Sequence, residues 1–157
     1  MRHGNDEKQA IYKQDNSLNS SSQCHEEILD KARQLIKLYG KPKTIYCSPF
    51  RRARETVHIM KKLLPDVDII IDANLSRFFS KKEKLNPSVR KKTLKYDPPI
   101  TENAKEFKER VYKIEKIISK NKDITWCITH YLVIKKITKK YEITIPHKMP
   151  FLYHVIV

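Results

Sequence analysis

Reactive side chains are densest between residues 44 and 56, TIYCSPFRRARET, where Ser48 is followed by Arg51, Arg52 and Arg54. Residues 44–47 form a short apolar run rich in β-branched and aromatic side chains, which reads as a strand. Beyond Pro49 the spacing of Ala53, Val57, Met60 and Leu64 reads as a helix, with Pro49 tolerated before its first turn. The arginines therefore crowd the opening turn of a helix. That end already carries partial positive charge and unpaired N–H groups, so cations there are unfavourable unless an anion sits among them. The pattern suits a bound phosphate. Taken alone, the same stretch also fits a solvated basic face that happens to open a helix.

Two further stretches add histidines. Arg2-His3-Gly4 stands near the start, and a late apolar run, residues 124–128, leads into Thr129-His130 at the head of another helical pattern. Together with the S-x-x-x-R-A-x-x-T arrangement of Ser48, Arg52, Ala53 and Thr56, these motifs resemble the histidine phosphatase superfamily in its phosphoglycerate mutase-like branch. Glu102, Glu106 and Arg110-Val111 resemble a segment that precedes the second histidine in that family. Residues 153–157 are similar to its last strand.

The resemblance implies a phosphatase that hydrolyses a phosphomonoester or similar phosphorylated substrate through a phosphohistidine on His3. Arg2, Arg52 and His130 would hold the phosphate and stabilise the transition state, with no metal and no organic cofactor. Ser48, Arg51, Glu102 and Arg77 are the candidate substrate-binding residues, Arg51 either assisting or facing solvent. The expected substrate is a phosphorylated small molecule or a phosphoprotein. Two readings stay open beside it: an impaired relative kept as a phosphate- or partner-binding module, and a basic nucleic-acid-associated protein whose binding is weak.

Two departures from the family pattern bear on activity. Residues 72–77, DANLSR, align with the segment where the family carries its proton-donating glutamate, and Arg77 stands at that position. A positioned general acid contributes about 10²- to 10⁴-fold, so its loss penalises basic leaving groups most. Asp6, Glu7 and Glu102 are the candidate replacements. The second departure is that the family's first histidine ends an interior strand, whereas only Met1 precedes Arg2. Five buried apolar side chains at about 1.5 to 3 kcal/mol each would rival a domain's stability of about 5 to 15 kcal/mol. The expectation is a sheet lacking its first family strand, or a natural product that begins further upstream.

The elements that must position these residues follow from periodicity. Residues 5–25 read as a polar loop, 26–39 as an amphipathic helix ended by Gly40, and 67–71 as a continuous apolar strand. Residues 76–99 form a lysine- and arginine-rich stretch, read as a loop or short helices that either cover the site or are solvated surface. Residues 103–120 read as a long helix, 124–129 as a buried strand, 132–141 as a helix and 151–157 as a final strand. Such alternation predicts an α/β, three-layer sandwich with a mostly parallel central sheet flanked by helices. Ligands in such sheets bind beyond the carboxyl ends of strands, which sets Ser48-Arg52 and Thr129-His130 beside one crevice.

Composition bounds the rest. At 157 residues the chain reads as one domain, 1–157, able to bury a core without staples. No apolar run approaches the roughly 18 residues of a membrane helix and no leader pattern is seen, so a cytoplasmic protein with no membrane partner is expected. The 3 cysteines are too few and too widely spaced for a metal site and read as reduced core residues. The net charge of +15 invites a polyanion, although abundant lysine with only 2 glycines also fits a compositional bias of the coding sequence.

Overall fold

The computed structural model describes residues 1, 21–80, 101–146, 152 and 154. Arg2 and His3, the basic run 81–95 and most of the expected last strand lie outside them. So do Asp6 and Glu7.

Among the described residues a parallel sheet of 3 strands stands at the centre in the order β2-β1-β3. These are β1 (Thr44–Cys47), β2 (Asp68–Ile71) and β3 (Thr125–Ile128). The register sets Cys47 opposite Ile71 on one side and Ile128 on the other, so all three carboxyl ends finish level. Helices α1 (Ser22–Tyr39) and α2 (Arg51–Met60) cover one face. Their Ile28, Ala32, Ala53, Val57 and Met60 close over Ile45, Cys47 and Ile128 in one apolar cluster. Helices α3 (Ala104–Lys120) and α4 (Tyr131–Lys140) cover the other. There Phe107, Val111, Ile114, Val133 and Ile137 pack with Tyr46 and Cys127. The alternation of Ile45 and Cys47 against Tyr46 is the two-residue strand period feeding two layers from one strand.

The helix limits follow local chemistry. Ser21 caps α1, its hydroxyl accepting from the Cys24 N–H at 3.2 Å. The helix therefore starts ahead of residue 26, and Cys24 is a buried core residue of its first turn where the sequence reads as loop. Gly40 ends α1 at φ 89°, and a Cβ there would lie 3.0 Å from Ile124 Cδ1, so glycine is required on two counts. Asn103 and Glu106 form a reciprocal capping box at the start of α3. A short 3-10 helix, Ala73–Leu75, follows β2.

Two strands are less enclosed than their sequences suggest. Ile70 of β2 is 43 % exposed, and among the described residues that strand pairs with β1 alone. Thr125, Trp126 and Cys127 of β3 are half-buried, and only Ile128 is fully enclosed. Met1 explains part of this. Its amino group donates to the Cys127 carbonyl, and its own carbonyl accepts from the Thr129 N–H at 2.9 Å, which is one rung of a parallel ladder on the side of β3 away from β1. A groove of about 330 Å³ runs on from there, lined by Met1, Leu35, Tyr39, Ile124 and Trp126 among others.

Candidate active site

The sheet delivers the site residues at its carboxyl ends. β1 ends at Cys47, and the next residue, Ser48, donates its N–H to the Ile128 carbonyl at 2.9 Å, which ties the two strand ends together. The chain turns at Pro49-Phe50 and enters α2, bringing Arg52 back over the strand end. On the adjacent strand, Thr129 donates its hydroxyl to the Leu75 carbonyl at 2.7 Å, and His130 opens α4. Ser48, Arg52 and His130 are all buried, at 0 %, 4 % and 4 % exposure.

Their contacts assign the state of the imidazole. Arg52 Nη2 lies 3.2 Å from His130 Nδ1, and Ser48 Oγ lies 2.8 Å from His130 Nε2. A guanidinium only donates, so Nδ1 is the acceptor and the ring is neutral, with its proton on Nε2 directed at the serine oxygen. A second link holds Arg52 itself, since the Thr56 hydroxyl donates to the Arg52 carbonyl at 2.7 Å. A buried guanidinium beside an imidazole at a strand end is a group suited to receive an anion.

The helix ends sharpen this. α1 and α3, away from the crevice, are capped by their own Ser21 and Asn103 side chains. α2 and α4 start at Phe50 and His130 with no side-chain cap. Both uncapped amino ends meet where Arg52 and His130 meet.

The remaining candidates separate clearly. Arg51 is exposed and pairs with Glu55 one turn on, at 2.7 Å. Glu102 is 3 % exposed, and both of its carboxylate oxygens accept from Arg110. Arg110 also donates to the Asn74 and Ser76 carbonyls, so this ion pair braces the segment carrying Arg77. Arg77 itself lays its guanidinium over the Phe79 ring, 4.9 Å from the centroid.

Two aromatic residues were missed by sequence reasoning. Phe50 meets the His130 ring edge-on, with centroids 5.4 Å apart at 87°, and lies 5.5 Å from Phe79. Phe50 carried a signal, because it stands between the strand-end serine and the arginines. Phe79 carried none, since its contact with residue 50 depends on the fold.

Burial pushes the Cys47 thiol up to about 12 and the Cys127 thiol up to about 11. Cys47 is a core group, and Cys127 is half-buried in β3. No cluster of metal-ligating side chains occurs among the described residues. No helix there is long and apolar enough to cross a membrane.

The family model for the histidine phosphatase superfamily (branch 1) matches residues 1–155. A search of curated proteins gives no match. Among solved structures, YhfR of Bacillus stearothermophilus is similar at 18 % identity and TM-score 0.67, covering 96 % of this chain and 85 % of that one. The ecdysone phosphate phosphatase of Bombix mori, solved with tungstate, is similar at 15 % identity and TM-score 0.62, over 98 % and 80 %. A phosphoglycerate mutase of Plasmodium falciparum is similar at 22 % identity and TM-score 0.55, over 79 % and 71 %. At these identities the likeness shows the fold.

Proposed function

Since the chain belongs to the histidine phosphatase superfamily, we propose that it is a phosphatase working through a phosphohistidine on His3, with Arg2, Arg52 and His130 holding the phosphoryl group. The observation that carries this reading is the buried Arg52–His130 pair, 3.2 Å apart, between two helix starts that lack caps of their own. Phosphoryl transfer needs little from a protein beyond alignment and neutralisation of the equatorial oxygens. An imidazole nitrogen of His3 attacks phosphorus, the bond to the leaving oxygen breaks, and that oxygen takes up a proton. Water then attacks phosphorus, the N–P bond breaks, and phosphate and the free His3 imidazole are released, the water's proton passing to the imidazole or to solvent. Phosphatases of phosphohistidine and of ribazole and ecdysone phosphates share the fold, and a phosphorylated small molecule or phosphoprotein is the substrate class inferred here.

Ser48 supports the imidazole in this reading, and Arg77 stands near the leaving-group side, where it attracts anions but supplies no proton. The engagement of both Glu102 oxygens by Arg110 argues against Glu102 as substitute acid and as a substrate contact. The position of Arg77 favours one second reading, a phosphate-binding relative with little turnover. The deciding experiment is hydrolysis of an aryl phosphate by wild type and His3→Ala, with and without EDTA, together with acid-quench trapping of phosphoenzyme. Turnover lost in His3→Ala and unchanged by EDTA supports the proposal. Full activity in His3→Ala sinks it, and phosphate binding without any turnover selects the second reading.

A further inference from the structure

Phe50 and Phe79 are among the most enclosed side chains of the protein, at 1 % and 0 % exposure. Their rings stand 5.5 Å apart. Each also carries a cationic or imidazole side chain. Arg52 Cζ lies 5.7 Å from the Phe50 centroid and the His130 ring meets Phe50 edge-on, while Arg77 Cζ lies 4.9 Å above Phe79. One aromatic pair thus mounts cations from two segments that are separate in sequence.

The segment bearing Arg77 is also fixed at both ends. Upstream, Arg110 holds the Asn74 and Ser76 carbonyls. Downstream, the Phe79 carbonyl accepts from the Glu102 N–H at 2.9 Å, and Glu102 is the partner of Arg110. The two anchors share one ion pair, so the backbone around Arg77 has little room to drift. The Phe79 face gives the long side chain a flat surface to lie on.

We propose that Phe79, seated on Phe50, is a positioning residue that fixes the Arg77 guanidinium beside the Arg52–His130 pair and so makes Arg77 a working anion contact. This rests on the phosphate-site reading but not on turnover. The test is a double-mutant cycle read by tungstate binding calorimetry on the full chain, with unfolding measured in parallel. Phe79→Leu is expected to weaken tungstate about 3- to 10-fold, the range of a lost cation–π contact. In an Arg77→Gln background the same substitution is expected to change affinity less than about twofold, because the cation it positions is gone.

A structural role alone would lower stability equally in both backgrounds and give additive losses of affinity. Additivity overturns the proposal. Should Phe79→Leu fail to fold, Arg77→Lys decides: it keeps the charge but loses the planar group, so affinity near that of Arg77→Gln supports the proposal and wild-type affinity overturns it. A wild type that does not bind tungstate overturns it too. Tungstate bound with a non-additive cycle but no phosphate hydrolysis leaves the proposal standing and removes the phosphatase reading. Tungstate bound with additive effects and normal turnover does the reverse.

Discussion

The Ser48 hydroxyl and the His130 imidazole meet at 2.8 Å across the ends of two neighbouring parallel strands. Together with Arg52 at the other ring nitrogen, this contact fixes the orientation of the imidazole. Arg52→Ala removes the buried cation and should weaken tungstate or phosphate binding by about 10- to 100-fold, the equivalent of a charge-assisted hydrogen bond of about 1.5 to 3 kcal/mol. Ser48→Ala should cost about 1 kcal/mol of stability and leave binding closer to wild type. Equal losses of binding in the two variants would show that the serine matters to the anion as much as the arginine does.

Arg77 predicts leaving-group selectivity. A missing general acid matters most when the departing oxygen is basic, so aryl and acyl phosphates or phosphohistidine should be turned over and sugar or glycerate phosphates poorly. Arg77→Glu should raise the ratio of alkyl to aryl phosphate turnover. Equal wild-type rates on both classes would mean that another group supplies the proton.

The Glu102–Arg110 pair is a stability element. Glu102→Gln strands a buried guanidinium and should lower the unfolding free energy by about 3 to 5 kcal/mol, whereas replacing both partners, Glu102→Leu with Arg110→Met, should cost much less. Urea titration of the three proteins measures this. Comparable losses in the single and double variants would show that the two carbonyls held by Arg110, not the carboxylate, dominate.

Acid should destabilise the 157-residue chain. Burial lowers the Met1 amino group from its ordinary 8.0, opposed by the Cys127 thiol. Burial, then Lys31 and the Met1 ammonium, lower His154 from 6.5. For both bases the unfolded chain binds protons more readily, so stability rises as pH climbs from the depressed folded values to about 6.5 for His154 and about 8 for Met1. Acetylating the amine should flatten the upper part of that profile. A flat profile between pH 6.5 and 8 in the unmodified chain would show that the amine is solvated.

Much of this was legible in the sequence, for identifiable reasons. The strand run 44–47, the helix after Pro49 and the long helix over 103–120 are local features, and local chemistry specifies them. The start of α1 was hidden because Ser20, Ser21 and Ser22 read as loop, and only Cys24 marks a buried face there. The expected motif roles of Ser48, Arg52 and His130 could be written from spacing and resemblance, but their mutual distances come from a parallel register that no single segment encodes. Glu102 precedes the cap of α3 while Arg110 lies within that helix, so no single element's period reveals their pairing. Phe50 and Phe79 meet only because the segment after β2 returns over the crevice.

The uncapped amino ends of α2 and α4 carry a kinetic consequence. Neither N-cap residue, Phe50 or His130, caps its helix with its own side chain, and an anion seated at those starts would hold the first turns closed. Amide hydrogen exchange in the first turns of α2 and α4 should therefore slow when tungstate is added, while the self-capped starts of α1 and α3 keep their rates. The crevice would then report its own occupancy through the backbone, residue by residue, in a chain whose substrate has yet to be chosen.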